Sequence, residues 1–205
     1  MATFPTTPGD LTDEWLTRVL GRTISGHRVE HFGEGTGVIG LVTRVHLEAG
    51  EGPATLIAKF PSPAPENRAV AATYDMYGRE VRFYQDIADS LPMRTAECYF
   101  AAHDPETQGF VLLLEDLVDF RIGDQVAGCT LDEARAVIDA IANLHAATWT
   151  GAGYPGLQSH ASEMQRDGMI GGFQLGWPVV LEQFADLLPA SARTAGERMP
   201  AAIGR

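Results

Sequence analysis

From Val38 to Glu48 the side chains alternate with a period of two. Leu41, Thr43, Val45 and Leu47 fall on one side, and Val42, Arg44, His46 and Glu48 on the other. Strict alternation with β-branched residues predicts a half-buried strand. Val29 and His31–Phe32 form a brief strand before it, joined through the glycine-rich bend Gly33-Glu34-Gly35-Thr36-Gly37. After the turn at Ala49–Pro53, the apolar run Leu56-Ile57-Ala58-Lys59-Phe60 returns as a third strand, giving an antiparallel meander. A short helix precedes the meander, opened by Thr12-Asp13-Glu14, carried by Leu16, Val19 and Leu20 and ended by Gly21. Residues 66–91 read as one long helix with a break near Gly78 and a stop at Pro92. At about 100° per residue, Tyr77, Val81, Tyr84, Ile87, Ala88 and Leu91 share a face of it. Glu97–His103 and Phe110–Glu115 are two further strands, and Asp104–Gly109 between them has hairpin chemistry.

Beyond Leu117 the pattern changes. Residues 118–129 read as an irregular linker, and Thr130-Leu131-Asp132-Glu133 is a capping box. Ala134, Val137, Ile138, Ile141, Leu144 and Thr148 then recur at helical spacing. Residues 150–175 read as a glycine-rich loop, followed from about Trp177 by one or two amphipathic helices. The expected class is α+β, an antiparallel sheet of about five strands with one long helix, followed by helices. The expected organisation is a Pro/Thr-rich tail over 1–10, a first domain over 11–117, and a linker with a helical region over 118–205.

The 205 residues, 45% hydrophobic, suffice for one good core or two small lobes sharing a cleft. A formal net charge of −12 argues against nucleic acid or an anionic membrane as the main partner. Cys98 and Cys129 lack metal-ligand spacing and are too few for a disulfide framework. The N-terminal residues do not read as a signal peptide, and no run approaches the roughly 18 apolar residues of a membrane span, so a cytoplasmic protein is expected.

Charge changes the picture at one position. Lys59 is the only lysine beside fourteen arginines. A position that keeps a compact ammonium, in a chain that otherwise supplies arginine, suits a narrow site built for a point charge. The alternative is a strand-edge lysine reaching solvent. Gly35-Thr36-Gly37-Val38-Ile39-Gly40 fits G-x-G-x-x-G, but it opens a strand and not a helix, and position 60 is Phe where a dinucleotide fold places an acid. A glycine loop between antiparallel strands instead suits a hairpin folded over a nucleotide, with Gly33, Gly35, Thr36 and Gly37 letting backbone N–H groups approach phosphate oxygens. An ordinary hairpin turn is the alternative. Lys59 on the following strand would reach under that hairpin. Glu80 lies within the apolar helical stripe, where a carboxylate is costly unless paired; its partner is Lys59 or, failing that, Arg79 or Arg82. The strand Phe110–Leu114 runs into Glu115-Asp116-Leu117, where the backbone of Glu115 and Leu117 could read an adenine edge, or where two acids are simply solvated.

This order resembles the protein-kinase-like fold of aminoglycoside and choline phosphotransferases, and more closely their ecdysteroid-kinase-like branch. The matching stretches are Gly35-Thr36-Gly37 with Arg44, Ile57-Ala58-Lys59-Phe60-Pro61, Arg79-Glu80-Val81-Arg82-Phe83-Tyr84 and Leu113-Leu114-Glu115-Asp116-Leu117. Gly123-Asp124-Gln125 with Gly128, and Leu144-His145-Ala146-Ala147-Thr148-Trp149, continue the match. It covers roughly residues 11–150. The resemblance implies a nucleotide-binding N-lobe and the first helices of a C-lobe. It also implies ATP and Mg²⁺ as cofactors and phosphorylation of a small hydroxylated substrate.

In that family the catalytic base comes from an H-x-D loop with a downstream Asn, and a later Asp holds the metal. Neither occurs in these 205 residues. His103-Asp104 and Asp119-Phe120-Arg121 are too early and lack the spacing, and His145 is expected to pack or to hydrogen-bond between lobes. No catalytic or metal-binding residue is therefore assigned. The expectation is the ATP-binding part of a small-molecule kinase, inactive alone. A naturally short, non-catalytic nucleotide-binding or regulatory protein is the second reading, and a Rossmann-type oxidoreductase is a third, weakened by the strand after the glycines.

Overall fold

The structure is a computed structural model that describes residues 4–31, 39–48, 50–149, 154, 157 and 162–203. Strands β1 (Gly26–His31), β2 (Gly40–Glu48), β3 (Thr55–Pro61), β4 (Cys98–Asp104) and β5 (Gly109–Glu115) form one sheet. Their order is β1-β2-β3-β5-β4, and all neighbours are antiparallel. The alternation in β2 carries through to burial, with Thr43, Val45 and Leu47 inside. Thr43 is buried without penalty because its hydroxyl donates to the Ala58 carbonyl at 3.2 Å.

The two faces of the sheet are covered separately. On one, Val45, Leu56, Ala58, Phe60, Val111 and Leu113 pack with Leu11, Trp15, Leu16 and Ile24. Helix α1 (Asp13–Leu20) supplies Trp15 and Leu16; the Thr12 hydroxyl caps it at the Trp15 N–H, and Gly21 ends it at φ 65°. Phe4, from the N-terminal segment, also packs against this core. On the other face Phe110, Leu112 and Leu114 meet Ala71, Tyr77 and Val81. Strand β5 is therefore buried from both sides, which explains its unbroken apolar run.

The single long helix expected over 66–91 is instead two helices, α2 (Pro65–Thr73) and α3 (Met76–Arg82). The break falls at Tyr74–Asp75 and not at Gly78. Asp75 adopts φ 48°, a left-handed conformation that Asp tolerates better than most residues, and its carboxylate pairs with Arg82. Gly78 lies within α3, where a Cβ would crowd Asp75, Arg82 and His103. Beyond Arg82 the chain continues as a π turn (Phe83–Ile87) and a 3₁₀ turn (Ala88–Ser90).

Helix α4 (Leu131–Thr148) opens on the expected capping box: the Thr130 hydroxyl accepts from Glu133 N–H, and Glu133 accepts from Thr130 N–H at 2.7 Å. None of its residues is buried. His145, expected to pack or to hydrogen-bond between lobes, is exposed and so is not a core residue.

The chain comprises two compact units, Met1–Gly156 and Leu157–Arg205. In the second unit, α5 (Glu163–Phe184) runs through residues 163–175, which were expected as loop, and is followed by α6 (Ala190–Ile203). Several helical glycines cost roughly 1 kcal/mol each relative to alanine. Packing outweighs that cost: Phe173 and Trp177, one turn apart, stack at 5.5 Å, and the Trp177 indole occupies the space a side chain at Gly196 would need. Ser162 caps the start. Among the described residues no helix is long and apolar enough to cross a membrane.

Candidate nucleotide site

The period of two in β3 sends Leu56, Ala58 and Phe60 into the α1-side core and turns Ile57 and Lys59 to the face that α3 covers. Lys59 is in register with Val42 on β2 and with Leu112 on β5. From there its ammonium donates to Glu80 Oε1 on α3, and both side chains are partly exposed. Glu80 reaches Lys59 because α3 is clamped to the same sheet face. Tyr77 stacks on Phe110 at 4.7 Å and 14°. Its hydroxyl donates to the Ile39 carbonyl at 2.6 Å and accepts from the Ser62 N–H at 3.0 Å. The helix is thereby fixed to the start of β2 and the end of β3. The other partners considered for Glu80 are placed differently: Arg82 pairs with Asp75, and the Arg79 Nε is buried without a hydrogen-bond partner.

A cleft of about 370 Å³ lies on this same face. Its floor is Val42, Arg44 and Ile57, and its wall is the end of β5 with the segment after it, Leu114, Glu115, Asp116, Leu117 and Val118. Ile57 and Lys59 are two residues apart on one strand face, so the ammonium root stands about 7 Å from the cleft floor. This volume falls in the range of small-molecule sites, and its walls are apolar with few polar groups.

The two acids at the end of β5 are paired and not simply solvated. Glu115 accepts from Arg94 at 2.6 Å and from the Glu97 N–H at 3.1 Å, and Arg94 holds its carboxyl below the ordinary glutamate value. Asp116 accepts two hydrogen bonds from Arg44, at 2.6 and 3.3 Å. The described backbone bonds here use the Glu115 N–H, the Asp116 carbonyl and the Leu117 carbonyl.

Of the residues the sequence singled out, Glu115 and Leu117 line the cleft, while Lys59, paired with Glu80, stands two residues along β3 from its floor residue Ile57. Gly33, Gly35, Thr36 and Gly37 lie outside the described residues. Tyr77 and the Arg44–Asp116 pair were not anticipated as ties. The signal for Tyr77 was a hydroxyl-bearing aromatic within an apolar stripe, which needs a partner when buried. The Arg44–Asp116 pair spans 72 residues and leaves no local signature.

The remaining motifs are structural. Asp104 caps its own turn, accepting from Glu106 N–H at 2.9 Å and Thr107 Oγ1 at 2.7 Å. The Thr107 hydroxyl leads in holding the Asp104 carboxyl low. Asp119-Phe120-Arg121 lies exposed in the linker, with Arg121 paired to Glu133. Gly123–Gly128 is turn chemistry: Asp124 accepts from Val126 and Ala127 N–H, both at 2.9 Å, and Gly128 has φ 78°. Among the described residues no three His, Cys, Asp or Glu side chains cluster as a metal site.

No curated protein and no solved structure matches the chain. Residues 34–170 match the ecdysteroid kinase-like family, a span holding β2 to β5, the Lys59–Glu80 pair, the cleft and α4. The five-stranded antiparallel sheet with helices is the α+β arrangement of a kinase-like N-lobe followed by helices. The chain belongs to the ecdysteroid kinase-like family, a family of kinase-like phosphotransferases.

Proposed function

We propose that this chain binds ATP, as the nucleotide-holding part of a phosphotransferase acting on a hydroxyl of a small molecule. The observation that carries this reading is the Lys59–Glu80 pair on the sheet face that also holds a cleft of small-molecule size, with Lys59 two residues along β3 from the cleft residue Ile57. Lys59 is the phosphate ligand, a point charge oriented by Glu80. The flat apolar floor of Val42 and Ile57 takes the adenine ring, and the Glu115 carbonyl and Leu117 N–H read its edge. Gly33, Gly35, Thr36 and Gly37, in the glycine-rich sequence before β2, supply backbone donors to the phosphates. Kinase-like families generally use ATP with Mg²⁺. Among the described residues no three acid, thiol or imidazole side chains cluster as a ready-made site, and Mg²⁺ is ordinarily held by one or two carboxylates together with the substrate phosphates.

Phosphoryl transfer needs a group to orient the nucleophile and charge to neutralise the phosphate. The 205 residues contain no H-x-D triplet, and Glu80 is engaged with Lys59. Binding without turnover is therefore the activity proposed for this chain. That same observation favours, as the second reading, a non-catalytic nucleotide-binding or regulatory role. The acceptor is a small hydroxylated compound; sterols, amino alcohols, aminoglycosides and hydroxyacyl compounds all satisfy that description.

Titration calorimetry with Mg-ATP tests the reading. Lys59→Ala should weaken binding about tenfold or more, the scale of a charge-assisted phosphate contact. An unchanged dissociation constant overturns the assignment. Phosphorylated product above an ATP-hydrolysis blank, with any hydroxyl substrate, overturns the absence of turnover.

A further inference from the structure

Asp116 is the most deeply withdrawn acid at the cleft, its side chain only 5% exposed. It is held by a two-pronged interaction with Arg44: Nε donates to Oδ2 at 2.6 Å, and a terminal NH₂ donates to Oδ1 at 3.3 Å. This fork-to-carboxylate geometry fixes direction as well as distance. Arg44 stands on β2 opposite Ile57, and all three residues line the cleft. Behind it, Glu30 on β1 lies 4.0 Å from Arg44 and 2.6 Å from His46. The guanidinium is therefore braced from the sheet side while it grips the segment after β5.

That segment needs gripping. Past Asp116 the chain runs into exposed residues, with Leu117 about a third exposed and Val118, Phe120 and Ile122 largely in solvent. On the other side Arg94 fixes Glu115 to the β4 approach. A backbone carbonyl and N–H that pair with a base edge must sit within a few tenths of an ångström of their places. Residue 116 lies between the two that carry those groups.

We propose that Arg44 and Asp116 are positioning residues for base recognition: the pair pins the backbone of residues 115–117 over the β2–β3 floor. Which base is accepted therefore depends on it, whereas grip on the phosphates does not. This inference rests on the nucleotide reading above and adds a division of labour to it. Lys59 holds the phosphates, and Arg44 with Asp116 sets the reading frame for the base.

The test is calorimetry on the whole chain with three probes: Mg-ATP, Mg-GTP and inorganic tripolyphosphate. Asp116→Asn keeps the shape and loses the charge; Arg44→Lys keeps the charge and loses the fork. Each should weaken ATP about tenfold, bring the ATP-to-GTP ratio towards one, and leave tripolyphosphate within about twofold of the native chain. Exchanging the partners, Arg44→Asp with Asp116→Arg, should recover part of the ATP preference, and thermal melts confirm that each variant is folded. Equal loss for all three probes overturns the proposal, because a merely structural pair would act that way. ATP and GTP affinities unchanged in both single variants, with Lys59→Ala still impaired, overturn it while leaving the nucleotide reading intact. Failure of the native chain to bind ATP overturns both.

Discussion

Phe110, Val111, Leu112 and Leu113 on β5 are at most 1% exposed, whereas Val137, Ile138 and Ile141 on α4 are 57, 64 and 41% exposed. Both stretches are equally apolar to the eye. The difference lies in what each backbone can bury by itself. A central strand presents two faces and satisfies its polar groups through two neighbours, so α1 on one side and α3 on the other enclose it completely. A helix satisfies its backbone alone and can stand with its stripe uncovered. Sequence periodicity marks a face that is fit for burial, and topology decides whether anything covers it.

Truncations give the strongest way to break this comparison. Phe110→Ala removes a ring stacked on Tyr77 and should destabilise the fold by about 3–5 kcal/mol in urea denaturation, while Ile138→Ala should stay within about 0.5 kcal/mol. An Ile138 effect as large as that of Phe110 would mean that α4 is covered in solution. Next in size is Tyr77→Phe, which strands the buried Ser62 N–H and removes a donor from Ile39. It should cost about 1–3 kcal/mol and lower the slope-independent urea midpoint.

The two thiols sharpen the contrast without a mutation. Burial pushes the Cys98 thiol up to about 11, while Cys129 is exposed in the linker. Alkylation at pH 8 should consume Cys129 at the rate of a free thiol and reach Cys98 only as the sheet opens. Equal rates would show that β4 is not protected.

The smallest effect is that of acid. Glu115 beside the sheet and Glu133 at the α4 cap both titrate below the ordinary 4.5, the first through Arg94 and the second through the Thr130 N–H. A carboxyl whose folded pKa is depressed contributes stability above its unfolded value and loses it as pH falls through the folded one. The urea midpoint should therefore be flat from pH 7 to about 5.5 and decline below about 4.5. Glu133→Gln should remove the α4 share of that decline, seen as helical ellipticity, and leave the sheet transition in place.

The sheet was legible because its signals are local. Alternation in β2, the Asp104–Gly109 turn and the Thr130–Glu133 box each act within a few residues. The Lys59–Glu80 pair was legible for a different reason: a lone lysine and a carboxylate inside an apolar stripe each demand a partner. The illegible parts depend on distant atoms. The α2–α3 break sits at Asp75, whose carboxylate pairs with Arg82 seven residues on, and α5 runs through its glycines with Trp177 seated against the distant Gly196. Arg44 and Asp116 meet only once β2, β3 and β5 have paired.

The seating of Trp177 over Gly196 also has an optical consequence. Trp15 is enclosed in the sheet core, Trp149 at the end of α4 is 81% exposed, and Trp177 lies against a second helix. The chain thus carries three emitters in three settings. With Trp15 and Trp149 both changed to Phe, the remaining emission reports the α5–α6 pair alone, so the loosening of that pair can be timed independently of the sheet.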